Sequence, residues 1–247
     1  MKRWLMVVSM LVWGGWVQAD EVKVAVAANF AAPFKQIADR FRIKTGHNAV
    51  ASLGSTGALY AQIVNGAPYE LFLSADAERP DVLIKQGHAV AGTRQTYAVG
   101  RLVLWSKKPS FVDDEGKLLQ TGFNGRLAIA NPVTAPYGLA AQQTLERLGQ
   151  WNSVQRGLVR GENIAQTFQF ASSGSVDAAF VALSQIKSGD WVGKGSYWLV
   201  PETLHAPIEQ QMVLLENGKN SQAAKALMEF IASSEGRRII SGAGYGE

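Results

Sequence analysis

The chain has 247 residues, 47% of them hydrophobic and 18% charged, which is enough for one large or two modest domains with hydrophobic cores. It contains no cysteine, which excludes disulfides, thiolate chemistry and cysteine-bound metals and argues against a lipid-anchored lipoprotein. After residue 19 there are 22 basic and 20 acidic residues, and a net charge of about +2 excludes the electrostatic footprint of a nucleic-acid-binding protein.

The first 19 residues have the pattern of a cleaved signal peptide. Lys2 and Arg3 give a positive start, residues 5–17 are largely apolar, and Val17-Gln18-Ala19 offers small residues at the positions that a signal peptidase recognises. The apolar run is too short to span a membrane comfortably. We therefore expect a secreted, periplasmic protein that begins at Asp20.

Three strand–turn–helix units are predicted at the start of the mature chain. Val22, Val24 and Val26 share one face of a short buried strand, which turns into a helix within three residues. The predicted strands are 22–27, 48–52 and 69–73, and the predicted helices follow them near Pro33, Ala58 and Asp76. Successive β-α units of this kind form a parallel sheet with helices on its faces.

A second α/β unit is predicted after a long apolar strand at 97–105. Its strands are 126–130, 158–160 and 178–182, and helices follow the first two near Gly138 and Ile164. Late strands at 198–200 and 212–215 precede a last helix that begins at Asn220 or Ser221.

The order of these units predicts an α/β protein of two domains with a ligand cleft between them. The first domain comprises residues 20–99 and 205–247, and the second domain, residues 100–204, is inserted between them. Ligands of open α/β sheets bind at the carboxyl ends of the strands, so four strand–helix turns should face one cleft. We expect the domains to close over a ligand by a hinge near Tyr97 and Pro207.

The four cleft turns contain neutral hydrogen-bond donors and no lysine or arginine. The side-chain donors are Asn29, Ser55, Thr56, Tyr137 and Asn163, and free N–H groups at the helix starts add to them. Each of these side chains, taken alone, could equally cap a helix or pack in a loop. Together they suit a small, dehydrated anion held at helix N-termini.

Catalytic signatures are weak by comparison. The chain has no His-Glu-x-x-His run, no Gly-x-Ser-x-Gly elbow and no P-loop, and its three histidines lie in separate loops. Glu162 and Asp177 could form an acid/base pair, although nothing in their spacing singles them out. We therefore expect a protein without enzymatic activity or cofactor, and a small secreted hydrolase is the alternative from another class.

Five motifs together resemble one known family. They are Val-Ala-Ala-Asn-Phe (26–30), Ser-Leu-Gly-Ser-Thr-Gly (52–57), Asn-Gly-Ala-Pro-Tyr-Glu-Leu-Phe-Leu-Ser-Ala-Asp (65–76), Asn-Pro-Val-Thr-Ala-Pro-Tyr-Gly (131–138) and Gly-Glu-Asn-Ile (161–164). Over essentially the whole mature chain the sequence is similar to the periplasmic molybdate-binding proteins of bacterial ABC importers, which have the type II periplasmic binding protein fold.

The resemblance implies an oxyanion site built from the strand–helix turns. Carried over by motif, its residues are Ala28, Asn29, Thr56, Tyr137 and Ile164, with Tyr137 and Ile164 acting through backbone N–H groups, and they would hold molybdate as an oxyanion. The sequence departs from the commonest family pattern, because Asn29 and Thr56 stand where serine is usual and Tyr137 where alanine is. Ala182 stands where many members have a donating tyrosine, which bears on the number of donors.

The resemblance further implies a monomeric solute-binding protein that captures molybdate and tungstate and delivers them to the membrane permease of an ABC importer, without any role for nucleic acid. The same module for another tetrahedral oxyanion, such as sulfate or phosphate, is the alternative within this class.

Overall fold

The computed structural model describes residues 20–246, so the predicted signal peptide lies outside the described residues. Two five-stranded β-sheets organise this part of the chain. The strands are β1 (Glu21–Ala27), β2 (Asn48–Gly54), β3 (Leu71–Leu73), β4 (Gln95–Gly100), β5 (Leu102–Ser106), β6 (Leu127–Ala130), β7 (Leu158–Gly161), β8 (Ala178–Ala182), β9 (Ser196–Leu199) and β10 (Ile208–Leu214).

Ten α-helices connect or flank these strands within residues 20–246. They are α1 (Ala31–Thr45), α2 (Thr56–Val64), α3 (Glu78–Lys85), α4 (Lys117–Gln120), α5 (Pro136–Arg147), α6 (Trp151–Val154), α7 (Ile164–Ser173), α8 (Leu183–Ile186), α9 (Gln222–Ala232) and α10 (Ser234–Gly242). None of the helices in this range is long and apolar enough to cross a membrane.

The two sheets repeat one topology. The first has the order β2-β1-β3-β10-β4 and the second β7-β6-β8-β5-β9. In each sheet three neighbouring strands are parallel, and the fourth runs antiparallel to them. We call the first sheet with α1–α3, α9 and α10 the first lobe, and the second sheet with α4–α8 the second lobe. Both sheets are mixed rather than purely parallel, and they confirm the predicted α/β class.

The predicted long strand at 97–105 is wrong as a single element. Its apolar residues belong to two strands, β4 and β5, which are separated by Arg101 and lie in different sheets. The chain therefore crosses from one lobe to the other at Arg101, and it returns between Leu199 and Ile208. Gly100 and Arg101 interrupt the apolar run, but so short an interruption does not distinguish two separate strands from one strand with a bulge.

The predicted domain limits, 20–99 with 205–247 and 100–204, stay a prediction. The division of the strands between the two sheets supports them, because the first sheet draws strands from both ends of the described chain.

Hydrophobic cores lie on both faces of each sheet. In the first lobe, α1, α9 and α10 cover one face and α2 and α3 cover the other. In the second lobe, α5 packs on one face and α7 and α8 pack on the opposite face around Trp105. The core around α5 also includes Ala27, Ala28 and Ala75 of the first lobe, so the two lobes are in contact where the strands end.

Two of the helices begin directly after a residue whose side chain caps them. The side chain of Asn163 accepts hydrogen bonds from the N–H groups of Ala165 and Gln166, and Ser221 caps α9 in the same way. Helix α1 ends at Thr45, and the next residue, Gly46, has a φ of 79° that suits glycine.

Gly138, the third residue of α5, allows this helix to start directly against β6. A Cβ atom at this position would overlap the carbonyl oxygen of Ala130, the last residue of β6. We expect Gly138→Ala to lower the free energy of unfolding by about 3 kcal/mol, the upper range for overpacking, because the clash is with backbone. Urea denaturation measures the change.

Gly242→Ala is the matched control, since it also lies in a helix and a Cβ there meets no atom within 4 Å. Equal denaturation midpoints for the two variants would contradict the packing argument.

Candidate functional site

A small cavity lies where the strands of both lobes end. The space between its lining residues, counted together with the solvent at its opening, is about 210 Å³. Its lining residues are Ala27, Ala28, Asn29, Gly54, Ser55, Thr56, Ala75, Ala135, Pro136, Tyr137 and Ile164. All five residues that the sequence analysis assigned to the site are among them, and none of the lining residues is charged.

The cavity faces the first turns of helices from both lobes. Thr56 and Ile164 are the first residues of α2 and α7, and Tyr137 is the second residue of α5. Ala28 begins the 3₁₀ turn Ala28–Phe30, which links β1 to α1. N–H groups in a first helical turn have no acceptor within their own helix, so their hydrogen-bonding capacity and positive partial charge are available to an anion.

The capping of α7 leaves one N–H group for the cavity. The Asn163 side chain accepts from the second and third residues of the helix, Ala165 and Gln166, at 2.9 and 3.0 Å. The N–H of Ile164, the first residue, has no part in this cap. Gln185 fixes the other side of the same residue, because its Nε2 donates to the Ile164 carbonyl at 3.0 Å.

Thr56 is almost fully buried and has a hydroxyl group suited to donation. Its Oγ1 accepts the N–H of Ala75 at 3.1 Å, which leaves the hydroxyl proton for another acceptor. Ser55, the residue before it, makes no side-chain hydrogen bond to the start of α2. The side chains of this turn therefore do not cap the helix, which the sequence alone left open.

The side chain of Asn29 is occupied within the protein. Its Nδ2 donates to Gln210 Oε1 at 2.8 Å and to the Tyr245 hydroxyl at 3.0 Å, so both amide protons are used. It caps no helix. In this structure the Asn29 side chain therefore neither caps a helix nor has a free amide proton, and the part of Asn29 left to face an anion is its backbone N–H.

A buried polar network surrounds Asn29 and connects the lobes. The carbonyl oxygen of Asn29 accepts hydrogen bonds from Ser184 Oγ at 3.0 Å and from the Tyr245 hydroxyl at 2.8 Å. Gln210 donates to the hydroxyl of Tyr137 at 3.2 Å. Ser184 and Tyr137 belong to the second lobe, whereas Asn29, Gln210 and Tyr245 belong to the first, so the Ser184–Asn29 and Gln210–Tyr137 bonds cross between the lobes.

Burial raises the pKa of each tyrosine in this region. The pKa of Tyr137 lies well above its usual value because the ring is desolvated, and the neighbouring Tyr245 adds to the effect. Desolvation also raises the pKa of Tyr97 and brings that of Tyr245 to about 12. All three hydroxyls therefore stay neutral at physiological pH and act as hydrogen-bonding groups.

The other candidates do not line this cavity. Asp177 pairs with Lys108 at 2.8 Å and accepts the N–H of Arg126, and these hydrogen bonds hold the pKa of its carboxyl below the usual value. Glu162 is exposed on the turn before α7. Residues 20–246 contain no group of three His, Asp or Glu residues that could hold a metal ion.

Sequence reasoning missed two kinds of residue around the site. Gln210 and Tyr245 fix Asn29, yet they lie 181 and 216 positions away along the chain and belong to no turn motif. Arg79 reaches across to the second lobe, where its Nη2 donates to the Val133 carbonyl at 3.0 Å. The feature of the sequence that could have pointed to Arg79 is its position three residues after the Ser-Ala-Asp turn (74–76).

Comparison with known proteins gives a consistent result. A family model described as bacterial extracellular solute-binding protein matches residues 22–246. The molybdate-binding protein ModA of Azotobacter vinelandii is 50% identical over 230 residues, which cover 93% of this chain and 91% of that protein. The protein of the same name from Rhodobacter capsulatus is 46% identical over 229 residues, covering 92% and 88%.

Solved structures agree in fold. The periplasmic molybdate-binding protein of Azotobacter vinelandii has a TM-score of 0.87 at 42% identity and covers 92% of this chain and 99% of that one. The sulfate-binding protein SubI of Mycobacterium tuberculosis has a TM-score of 0.74 at 13% identity, covering 92% and 86%, which is a likeness of fold alone. The predicted periplasmic binding protein fold is thereby confirmed.

The buried tyrosines make stability fall at high pH. The pKa of Tyr245 is about 12 in the folded protein and 10.0 in the unfolded chain. Its contribution to the free energy of unfolding is therefore constant below pH 10 and is lost as the pH rises from 10 to 12. We expect Tyr245→Phe to make the decline of the unfolding free energy in this window shallower, by up to about 1.4 kcal/mol per pH unit. Urea denaturation at pH 9 to 12 measures it.

Tyr197→Phe, which removes a hydroxyl from a half-exposed ring, is the matched control. If the unfolding free energy falls equally steeply with pH in the parent and in Tyr245→Phe, the Tyr245 hydroxyl ionises as readily in the folded protein as in the unfolded one, which contradicts the expectation.

Proposed function

Because the chain belongs to the family of bacterial extracellular solute-binding proteins, we propose that it captures molybdate, and tungstate with it, and delivers the anion to an ABC importer. The single observation that carries this proposal is the small cavity between the lobes, which is lined by the starts of helices from both sheets and, among residues 20–246, by no charged residue. The two molybdate-binding relatives, at 50% and 46% identity, support the choice of ligand.

Neutral donors at helix starts suit an anion that sheds its water. Backbone N–H groups are fixed by the fold, so they lose little entropy when they bind an anion. A hydrogen bond to a charged acceptor contributes roughly 1.5–3 kcal/mol, so several together offset the loss of hydration. We propose that Ala28, Asn29, Tyr137 and Ile164 donate through the backbone and Thr56 through its hydroxyl.

The same chemistry disfavours phosphate. At neutral pH phosphate keeps at least one proton, which needs an acceptor when the ion is buried. The described residues that line the cavity include no carboxylate to accept it. Molybdate, tungstate and sulfate are fully deprotonated dianions, so size and the fit of the donors decide among those three.

A binding role is also consistent with the surroundings of Asp177, one of the two carboxylates that the sequence offered as an acid/base pair for hydrolysis. Solute-binding proteins are transport components, and Asp177 is already committed to Lys108 and Arg126 within the second lobe. We propose that the protein turns over no substrate, acts as a monomer without nucleic acid in the periplasm, and has the permease of the importer as its partner.

Titration with four anions tests the ligand. We expect isothermal titration calorimetry to show one molybdate or tungstate per chain, with sulfate weaker by at least about tenfold, the equivalent of one hydrogen bond, and no measurable binding of phosphate. Thr56→Ala should weaken molybdate binding by about ten- to hundredfold because it removes one donor to the anion.

Thr56→Ser is the matched control, since serine keeps the hydroxyl that the N–H of Ala75 and the anion both use. Sulfate or phosphate binding as tightly as molybdate would overturn the choice of ligand. Thr56→Ala binding like the parent would remove Thr56 from the site.

A further inference from the structure

Two hydrogen bonds join the lobes directly beside the cavity. The N–H of Gly57, in the first turn of α2, donates to the Thr134 carbonyl at 2.8 Å. Nη2 of Arg79, in α3, donates to the Val133 carbonyl at 3.0 Å. Both donors belong to the first lobe, and both acceptors lie in the loop of the second lobe that leads into α5.

Arg79 is held in place for this contact. Its Nη1 pairs with the carboxylate of Asp76, which also accepts the backbone N–H of Arg79 at 3.0 Å. The ion pair uses one end of the guanidinium and leaves Nη2 for the carbonyl of Val133. The Arg79 side chain is only 23% exposed, so its orientation is largely fixed by the fold.

Gly57 lets the lobes come close enough for both bonds. A Cβ atom at this position would lie 3.0 Å from Thr134 Cα and 3.2 Å from Arg79 Nη2. The glycine conformation here is helical rather than left-handed, so the constraint is space and not backbone strain.

We propose that this structure is the closed state of the two lobes, and that Gly57 and Arg79 form an interlobe clasp that sets the lifetime of this state and therefore the rate at which the bound anion leaves. That the bound anion is molybdate rests on the proposed function. Donors to the cavity come from both lobes, so an anion that they hold together loses part of its hydrogen bonds when the lobes separate. Bonds that exist only in the closed state lower the rate constant of opening. They do not change the rate constant with which the anion binds to the open protein.

The clasp uses the carbonyl of Val133 and not its side chain, which is 79% exposed. The clasp is also distinct from the network around Asn29, because its two bonds involve neither Gln210 nor the tyrosines. It therefore gives the closed state a contact that can be removed while the packing behind the cavity stays intact.

Single-molecule fluorescence energy transfer between the lobes tests the clasp. The chain has no cysteine, so Ile43→Cys in the first lobe and Val192→Cys in the second, both at exposed positions, provide a unique dye pair. Dwell times in the closed state are measured with and without molybdate. We expect Arg79→Ala to shorten the closed dwell by about tenfold in both conditions, the effect of one hydrogen bond from a charged donor, and to leave the rate constant of closing unchanged.

Three further variants separate the clasp from a general loss of stability. Arg94→Ala removes an arginine that pairs with Asp81 inside the first lobe, and Val133→Ala keeps the accepting carbonyl, so both should behave like the parent. Gly57→Ala should shorten the closed dwell while the ligand-free melting temperature stays equal or rises, because alanine favours the helix.

The outcomes distinguish the two proposals. An unchanged closed dwell in Arg79→Ala would overturn the clasp, even if the parent binds molybdate as proposed. A shortened dwell without ligand, in a parent whose dwell molybdate does not lengthen, would support the clasp and contradict the proposed function. A parent that closes under neither condition would contradict both.

Discussion

The structure depends on one electrostatic constraint: the charge of a buried anion must be balanced, and the described residues that line the cavity between the lobes offer only neutral donors for this. Unpaired N–H groups in the first turn of a helix supply such donors with a fixed orientation. One helix start provides too few of them to surround a tetrahedral ion. The fold provides several by ending parallel strands of two sheets at the same place, so that Thr56 from one lobe faces Tyr137 and Ile164 from the other.

A second requirement is that these donors keep their positions when the lobes meet. The network of Asn29, Gln210 and Tyr245 fixes the first turn, and Ser184 and Tyr137 connect it to the second lobe. Gln185 holds Ile164 in the same way. Buried polar groups of this kind are costly unless each has a partner, so the network favours a single arrangement of the two lobes. The side chains around the cavity therefore mainly position the backbone that faces it.

The sequence predicted the class of fold and the place of the cavity because both follow from local patterns. Alternating valines, helical spacing and short turns predict β-α units, and the topology rule places a ligand where the strands end. The motifs then selected five of the eleven residues that line the cavity. The role of the Asn29 side chain could not be predicted, since Gln210 and Tyr245 contact it from the far end of the chain. The break at Arg101 could not be placed either, because Gly100 and Arg101 interrupt the apolar run too briefly to distinguish two strands from one strand with a bulge.

A crystal structure of the protein with molybdate is the most direct test of the account. The account predicts molybdate oxygens at hydrogen-bond distance, about 2.7–3.2 Å, from the backbone nitrogens of Tyr137 and Ile164 and from Thr56 Oγ1. It also predicts that the Asn29 side chain stays bonded to Gln210 and that no lysine or arginine nitrogen touches the anion. A lysine or arginine in direct contact with molybdate, or an anion bound away from this cavity, would contradict it.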